Sequence, residues 1–312
     1  MKLLHIGLYR TGEWGAMQDA FSNHYQYAEI NTSTPNFNEE VIKIADKFCP
    51  DIIFMQIQSP ETISIDTIKE LKKRKVFIAN WTGDVRTPIP SWYINLAPHI
   101  DVTLFTNMTD VIDFKEKKLK SDYLQIGFDP EIYCPEGAVY TAPQIIFCAN
   151  NYNDMFPLSK YRKDIVAALK KEFKEKFAIY GNGWNENEGS FNYSQPVEAA
   201  VYRGATIVIN CSHFDYERYF SDRMLRIMGS GAFCLSHNYN GISEDYTIGQ
   251  DVATFDNIEE LINKCHYFLK PENNIERNSV AASGCHLVHN KFTFEHMVQN
   301  FEKLYETWKS KK

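Results

Sequence analysis

The chain has 312 residues, with 33 Lys plus Arg against 40 Asp plus Glu and a formal charge of −7 with histidine neutral. Its 44% hydrophobic and 23% charged residues are ordinary for a globular protein and exclude collagen-like, largely disordered and coiled-coil chains, while the length suggests two domains. The apolar runs at 52–55 and 145–149 stop far short of the roughly 20 residues a membrane span needs, and His5 and Arg10 interrupt the start, so neither a span nor a secretory signal is expected.

From the amino terminus, strand-like runs at 2–8, 51–57, 75–81, 101–105 and 123–126 alternate with stretches at 38–47, 64–74 and 110–118 whose apolar residues recur at helical spacing. The strands are nearly continuous apolar runs, which predicts a parallel α/β sheet buried on both faces. Residues 128–137, Phe-Asp-Pro-Glu-Ile-Tyr-Cys-Pro-Glu-Gly, are rich in turn formers and predict a linker. The alternation then restarts with a strand at 144–149, a helix at 159–173, strands at 176–180 and 205–210, a helix at 222–228 and a strand at 232–236. Beyond 258 the pattern is helical only, at 258–269 and 273–308, so the second sheet is expected to finish by about residue 255. The expected domains are 1–136 and 143–288. They form a facing cleft, with ligands at the carboxyl ends of the strands. The seven cysteines are odd in number and lack a C-x-x-C pair, which points to reduced thiols in a cytoplasmic protein rather than a disulfide framework or a zinc ribbon.

Three segments carry candidate chemistry. The first, residues 80–92 (Asn-Trp-Thr-Gly-Asp-Val-Arg-Thr-Pro-Ile-Pro-Ser-Trp), directly follows a strand and so places Asp84 at a carboxyl end. As a general base, Asp84 would accept the proton of an attacking hydroxyl, while Trp81 and Trp92 offer flat apolar walls around a sugar or base. The competing reading pairs Asp84 with Arg86 and makes it a turn former. In the second, residues 219–233, Ser221 or Asp222 caps a helix whose first turn holds Arg223, a diphosphate site if not simply a solvated arginine. The third is the loop at 148–162, with Ser159 as N-cap and Lys160 and Arg162 near the helix start; it faces phosphate or is merely basic surface.

Weaker signals complete the set. Gly181, in Tyr-Gly-Asn-Gly-Trp at 180–184, could let a nucleotide lie against the backbone. Gly12 lies in an opening turn that faces sugar or acceptor, or is a simple loop; Gly7, Gly12 and Gly15 do not make the G-x-G-x-x-G of dinucleotide folds, nor do Gly181 and Gly183, which argues against a dehydrogenase. Cys285, His286 and His289 lie in a helical stretch without a third ligand at a matching offset, so no metal is implied. Cys211 and His213 are neighbours in sequence, which rarely make a catalytic dyad.

Taken in order, these segments resemble a glycosyltransferase of the GT-B fold, with two Rossmann-like domains and a terminal helix, 289–312, crossing back to the first. The second half resembles CgeB-like, group 1 type transferases through Ser-x-Arg at 221–223, Gly-Ser-Gly-Ala-Phe at 229–233, Glu-Glu-Leu at 259–261 and Ser-Gly at 283–284. Residues 82–92 are similar to the phage DNA β-glucosyltransferases, which have Thr-Asp-Ile-Arg-x-Pro followed by Trp. The resemblance implies Asp84 as catalytic base, Arg223 on the donor diphosphate with Arg162 assisting, a UDP-linked sugar as donor and inversion at the sugar. It places the acceptor in the first domain and the nucleotide sugar in the second. One departure stands out: where these families commonly carry a glutamate that contacts ribose or sugar, this chain has Arg226, which accepts no hydrogen bond from a hydroxyl and leaves the donor open.

The resemblance points to a hydroxymethylated pyrimidine in duplex phage DNA as acceptor. The charge of −7 opposes this, and the cluster Lys69, Lys72, Lys73, Arg74, Lys75, Lys115, Lys117, Lys118 and Lys120 offers slight support. The alternatives are a hydroxyl on a bacterial surface or spore-coat glycan or protein, and a non-catalytic sugar-nucleotide-binding module. A monomer acting on a nucleotide sugar away from the membrane, with no required cofactor, is the expectation.

Overall fold

The computed structural model describes residues 1–7, 15–85, 88–185 and 194–310. The chain divides into two compact units, Met1–Ile126 with Phe294–Lys312, and Gly127–Thr293. In chain order the elements are β1 (Lys2–Gly7), α1 (Gly15–His24), β2 (Gln26–Asn31), α2 (Phe37–Phe48), β3 (Ile52–Met55), α3 (Ile65–Lys72), β4 (Phe77–Thr82), α4 (Ser91–Leu96), β5 (Val102–Phe105), α5 (Met108–Glu116) and β6 (Ser121–Tyr123). There follow β7 (Ile145–Cys148), α6 (Ser159–Phe173), β8 (Phe177–Tyr180), α7 (Gln195–Gly204), β9 (Ile207–Asn210), α8 (Asp222–Gly229), β10 (Cys234–His237), β11 (Ala253–Phe255), α9 (Ile258–Leu269), α10 (Asn274–Lys291) and α11 (Phe294–Ser310).

In the first unit the strands form one parallel sheet in the order β2-β1-β3-β4-β5-β6. Every residue of β3, β4 and β5 is buried, as the continuous apolar runs require. Helix starts follow local chemistry: the Ser64 hydroxyl accepts from the Thr67 amide, and the Asn107 side chain from the Asp110 amide. His5 is the polar exception in β1. Its Nδ1 lies 2.9 Å from the Tyr27 hydroxyl and its Nε2 2.7 Å from Gln56 Oε1, and burial pushes its pKa down to about 4.

Helix α11 belongs to this unit, as the crossing helix predicts. Phe301 meets Phe54 at 5.0 Å and Phe21 at 6.3 Å, and Tyr305 meets Phe77 at 5.1 Å. The helical pattern at 273–308 is therefore two helices, interrupted where Phe292 accepts from the Phe128 amide (3.1 Å) and Thr293 bridges to Phe128.

The second unit has a parallel sheet in the order β11-β10-β9-β7-β8. Its core joins Phe147, Ile165, Leu169, Ile209, Leu235 and Leu261. The unit begins at Gly127 rather than near 143, because the turn-rich stretch packs on it. The Tyr133 hydroxyl donates to Glu198 (2.6 Å), and Arg203 holds the carbonyls of Cys134 and Ala138, each at 2.8 Å. Strand β11 closes the sheet at residue 255.

Candidate functional site

In the second unit the chain runs from β7 to β8 on one side and later to β9 on the other, so the order of strands reverses between the carboxyl ends of β7 and β9. Two helices deliver arginines there. Arg162, in the first turn of α6, is 1% exposed. Its Nη1 donates to the Cys211 carbonyl, its Nη2 to the Asn150 carbonyl (3.0 Å), and its guanidinium lies 5.1 Å from the centre of the Phe147 ring. Arg223, in the first turn of α8, donates through Nη1 to the same Cys211 carbonyl (3.1 Å) and sits 5.7 Å from the same ring. Burial, and then Arg223, lower the Arg162 pKa to about 9.

The two arginines differ in what remains free. Both terminal nitrogens of Arg162 are committed to backbone, whereas Nη1 is the single guanidinium nitrogen of half-buried Arg223 with a hydrogen-bond partner among the described residues. Ser221 occupies the N-cap position of α8, but its hydroxyl makes no cap bond; it is buried and unpartnered among the described residues. The amide of Arg223 is taken by the Asp222 carboxylate (2.8 Å), but the orphaned Ser221 hydroxyl and the remaining donors of Arg223 suit an anion with several acceptor oxygens.

Three other candidates stand elsewhere. Lys160 is exposed and pairs with Asp164 at 2.7 Å, a solvated helix pair. Gly181 is buried with φ +135°, and a Cβ there would lie 2.4 Å from the Ala149 carbonyl. The glycine is thus required by the close approach of the β7 and β8 loops, which the Asn182 amide also joins by donating to Asn150 Oδ1 (2.8 Å). Arg226, where the resembling families carry a donor-contacting glutamate, is engaged within the protein: it pairs with Asp222 at 2.8 Å and Glu198 at 3.6 Å and lies over Tyr133 at 5.4 Å. Burial alone would lower its pKa, but Asp222, Tyr133 and Glu198 raise it above the usual arginine range.

In the first unit Asp84 is exposed in the turn after β4. Thr82, fully buried, shapes that turn: its hydroxyl donates to the Asp84 carbonyl (3.0 Å) and accepts from the Asp84 amide (3.4 Å). Asn80 fixes the strand end by accepting from the Ile57 amide (3.0 Å), and Tyr93 donates to the Ile57 carbonyl (3.1 Å). Trp81 corrects the expectation of an aromatic wall. It is 0% exposed, its indole N–H donates to the Leu124 carbonyl (2.9 Å), and a Cβ on Gly83 would lie 2.9 Å from its ring, so it supports the Asp84 turn from inside the core. Trp92 is half-buried and stacks on Tyr93 at 3.9 Å. Arg86 and Gly12 lie outside the described residues.

The sequence reading did not single out Thr82, Phe147, Glu198 or His213 as functional. Thr82 adjoins the Asp84 segment; the other three are recognised only through long-range partners. Burial pushes the Cys211 thiol up to about 11, which keeps it protonated near neutral pH.

Residues 162–303 match the glycosyl transferase-like family. No characterised protein matches by sequence. Among solved structures, Anabaena HepE in complex with UDP-glucose is similar at 10% identity and a TM-score of 0.66, covering 98% of this chain and 100% of its own. A glycosyltransferase from Rickettsia africae ESF-5 is similar at 12% identity and a TM-score of 0.67, covering 98% of each chain. A sucrose-phosphate synthase from Thermosynechococcus elongatus is similar at 9% identity and a TM-score of 0.68, covering both chains fully. The fold is GT-B, two Rossmann-like α/β halves. Among the described residues no helix is long and apolar enough to cross a membrane.

Proposed function

We propose that this protein is a glycosyltransferase that moves a sugar from a UDP-linked donor to a hydroxyl acceptor. The observation that carries the reading is the pair of guanidiniums meeting on the Cys211 carbonyl, with the orphaned Ser221 hydroxyl at the start of α8. The family match across 162–303 and the UDP and UDP-glucose complexes of HepE support it.

In this reading Asp84 takes the proton of the acceptor hydroxyl while that oxygen attacks the anomeric carbon. The bond from that carbon to the diphosphate breaks, and its electron pair leaves with UDP. Arg223 and the Ser221 hydroxyl stabilise the charge gathering on the diphosphate. Arg162 orients the site by holding the ends of β7 and β9 together.

For the acceptor, the reading best supported is a hydroxyl on a surface glycan or protein. Trp81 is sealed in the core, which removes it as a platform for an extruded base. Lys69, Lys72, Lys73, Arg74 and Lys117 pair with Asp66, Asp101, Glu70, Asp46 and Asp113, so five of the nine basic residues of the cluster already have carboxylate partners, which weakens it as a surface for phosphate.

Calorimetry with UDP, UDP-glucose, UDP-N-acetylglucosamine and a UDP-pentose, followed by radiolabelled-donor hydrolysis with EDTA and with magnesium, tests donor and metal dependence. Nucleoside mass spectrometry after incubation with hydroxymethylcytosine-containing DNA tests the competing acceptor; added hexose or pentose mass would restore it. Failure of every nucleotide to bind would overturn the donor reading.

A further inference from the structure

His213 lies two residues beyond Cys211, the carbonyl of which both arginines hold. Its ring is caged between Phe156 at 4.7 Å and Tyr152 at 5.2 Å, and its own carbonyl accepts from the Leu158 amide (3.0 Å). Within this cage Nδ1 is buried and has no hydrogen-bond partner among the described residues. A buried imidazole nitrogen left unpaired beside two cations calls for an explanation.

We propose that His213 is a proton-linked third cation of the donor cradle, neutral while the cradle is empty and protonated when the donor's diphosphate binds. The inference rests on the proposed UDP-sugar reading of the same site.

Burial, and then Arg162 and Arg223, push the pKa of His213 down to about 3, so the empty site holds it neutral. The groups around it are Arg162 from α6, Arg223 from α8 and the Tyr152 ring from the β7–α6 loop. Nearby carboxylates offer little relief: Asp154 pairs with Lys163 at 2.5 Å, and Asp215 is exposed. A diphosphate against the arginines reverses the field at the ring. One opposite charge within about 4–6 Å moves a pKa by roughly 1–3 units, and a nucleoside diphosphate brings more than one. The ring packs against Phe156 and Tyr152, and the change in field is met by its protonation. The proton comes from solvent and returns there when the diphosphate leaves. Free UDP carries more negative charge than its sugar ester, so the linkage favours product over donor at low pH, and release quickens as pH rises.

The test is calorimetry of UDP binding to the full chain between about pH 6 and pH 8.5, in buffers of different ionisation enthalpy, comparing the unaltered protein with His213→Gln. The unaltered protein is expected to take up more protons per UDP than the variant. Near pH 6 the variant should bind UDP about tenfold more weakly, the linkage of an imidazole raised from about 3 in the empty site to roughly 7 in the complex, with the two converging near pH 8.5. Equal proton counts and equal pH slopes would overturn the inference. Should the variant not fold, histidine C2-proton NMR of the unaltered protein decides: saturating UDP should bring one imidazole that stays neutral down to pH 6 in the empty protein to a pKa of roughly 7, uridine should not, and no such change overturns the inference. UDP binding without linked protonation defeats this inference alone; absence of UDP binding defeats the donor reading with it.

Discussion

Arg162 and Arg223 grip one carbonyl from two helices, but their removal should have different effects. Arg223→Ala is expected to weaken UDP binding by roughly ten- to a hundredfold, the loss of a charge-assisted contact worth about 1.5–3 kcal/mol, with the fold retained. Arg162→Ala strands the half-buried Asn150 carbonyl, at about 1–3 kcal/mol unpaired, and leaves the Cys211 carbonyl to Arg223 alone. Its effect should therefore appear first in urea unfolding. Asp84→Asn should leave UDP affinity intact and cut transfer by about a hundredfold or more, because an amide cannot take the acceptor's proton; unchanged turnover would return Asp84 to a turn-forming role. His5 gives the first unit a pH signature. With a folded pKa of about 4 against 6.5 unfolded, the unfolded chain takes a proton below pH 6.5 that the native state refuses. Its contribution, on the order of 3 kcal/mol, is full above pH 6.5 and is lost as pH falls toward 4. Urea midpoints at about pH 7.5 and pH 5 should differ accordingly, and replacing His5 by Gln should flatten that difference.

At the scale of elements, α8 is held from both sides. Its first turn presents Arg223 to the site, while Arg226, one turn on, joins Asp222 on the same helix to Glu198 on α7. Glu198 in turn accepts from Tyr133 and Tyr202, each at 2.6 Å. The charge of Arg226 is thus balanced locally, by a carboxylate on its own helix and one on the neighbouring helix. An Arg226→Glu substitution would set a carboxylate against Asp222 and Glu198 without a cation. Breaking a buried ion pair costs about 3–5 kcal/mol, and the partial exposure here argues for the lower end. Thermal unfolding should show the loss, and the paired exchange Arg226→Glu with Glu198→Arg should recover part of it.

At the scale of the whole molecule, the two units divide the proposed work unequally. Every residue assigned to the diphosphate, Ser221, Arg223, Arg162 and His213, belongs to Gly127–Thr293, which has its own sheet and core. That segment expressed alone is expected to fold and bind UDP with affinity near that of the full chain, by circular dichroism and calorimetry. The first unit is discontinuous, and its core includes α11 through Phe301 and Tyr305. A chain ending at Thr293 should leave the faces of Phe54 and Phe77 bare and lose cooperative unfolding of the first unit.

The sequence by itself determined the parallel α/β class, because strands buried on both faces must be continuous apolar runs. It also placed Asp84 after a strand and Arg223 in a first helical turn, positions set by local capping and turn chemistry. Edge strand β2 escaped notice because its polar and half-exposed residues, Gln26 to Asn31, lack such a run. The fate of long side chains was beyond local pattern. Trp81 is turned inward by a carbonyl 43 residues away, and Arg162 is spent on one 49 residues away. The aromatic cage of His213 draws on a loop that precedes α6. Periodicity records which face of an element is buried; which strand ends become neighbours, and so which charges meet, is decided by tertiary packing.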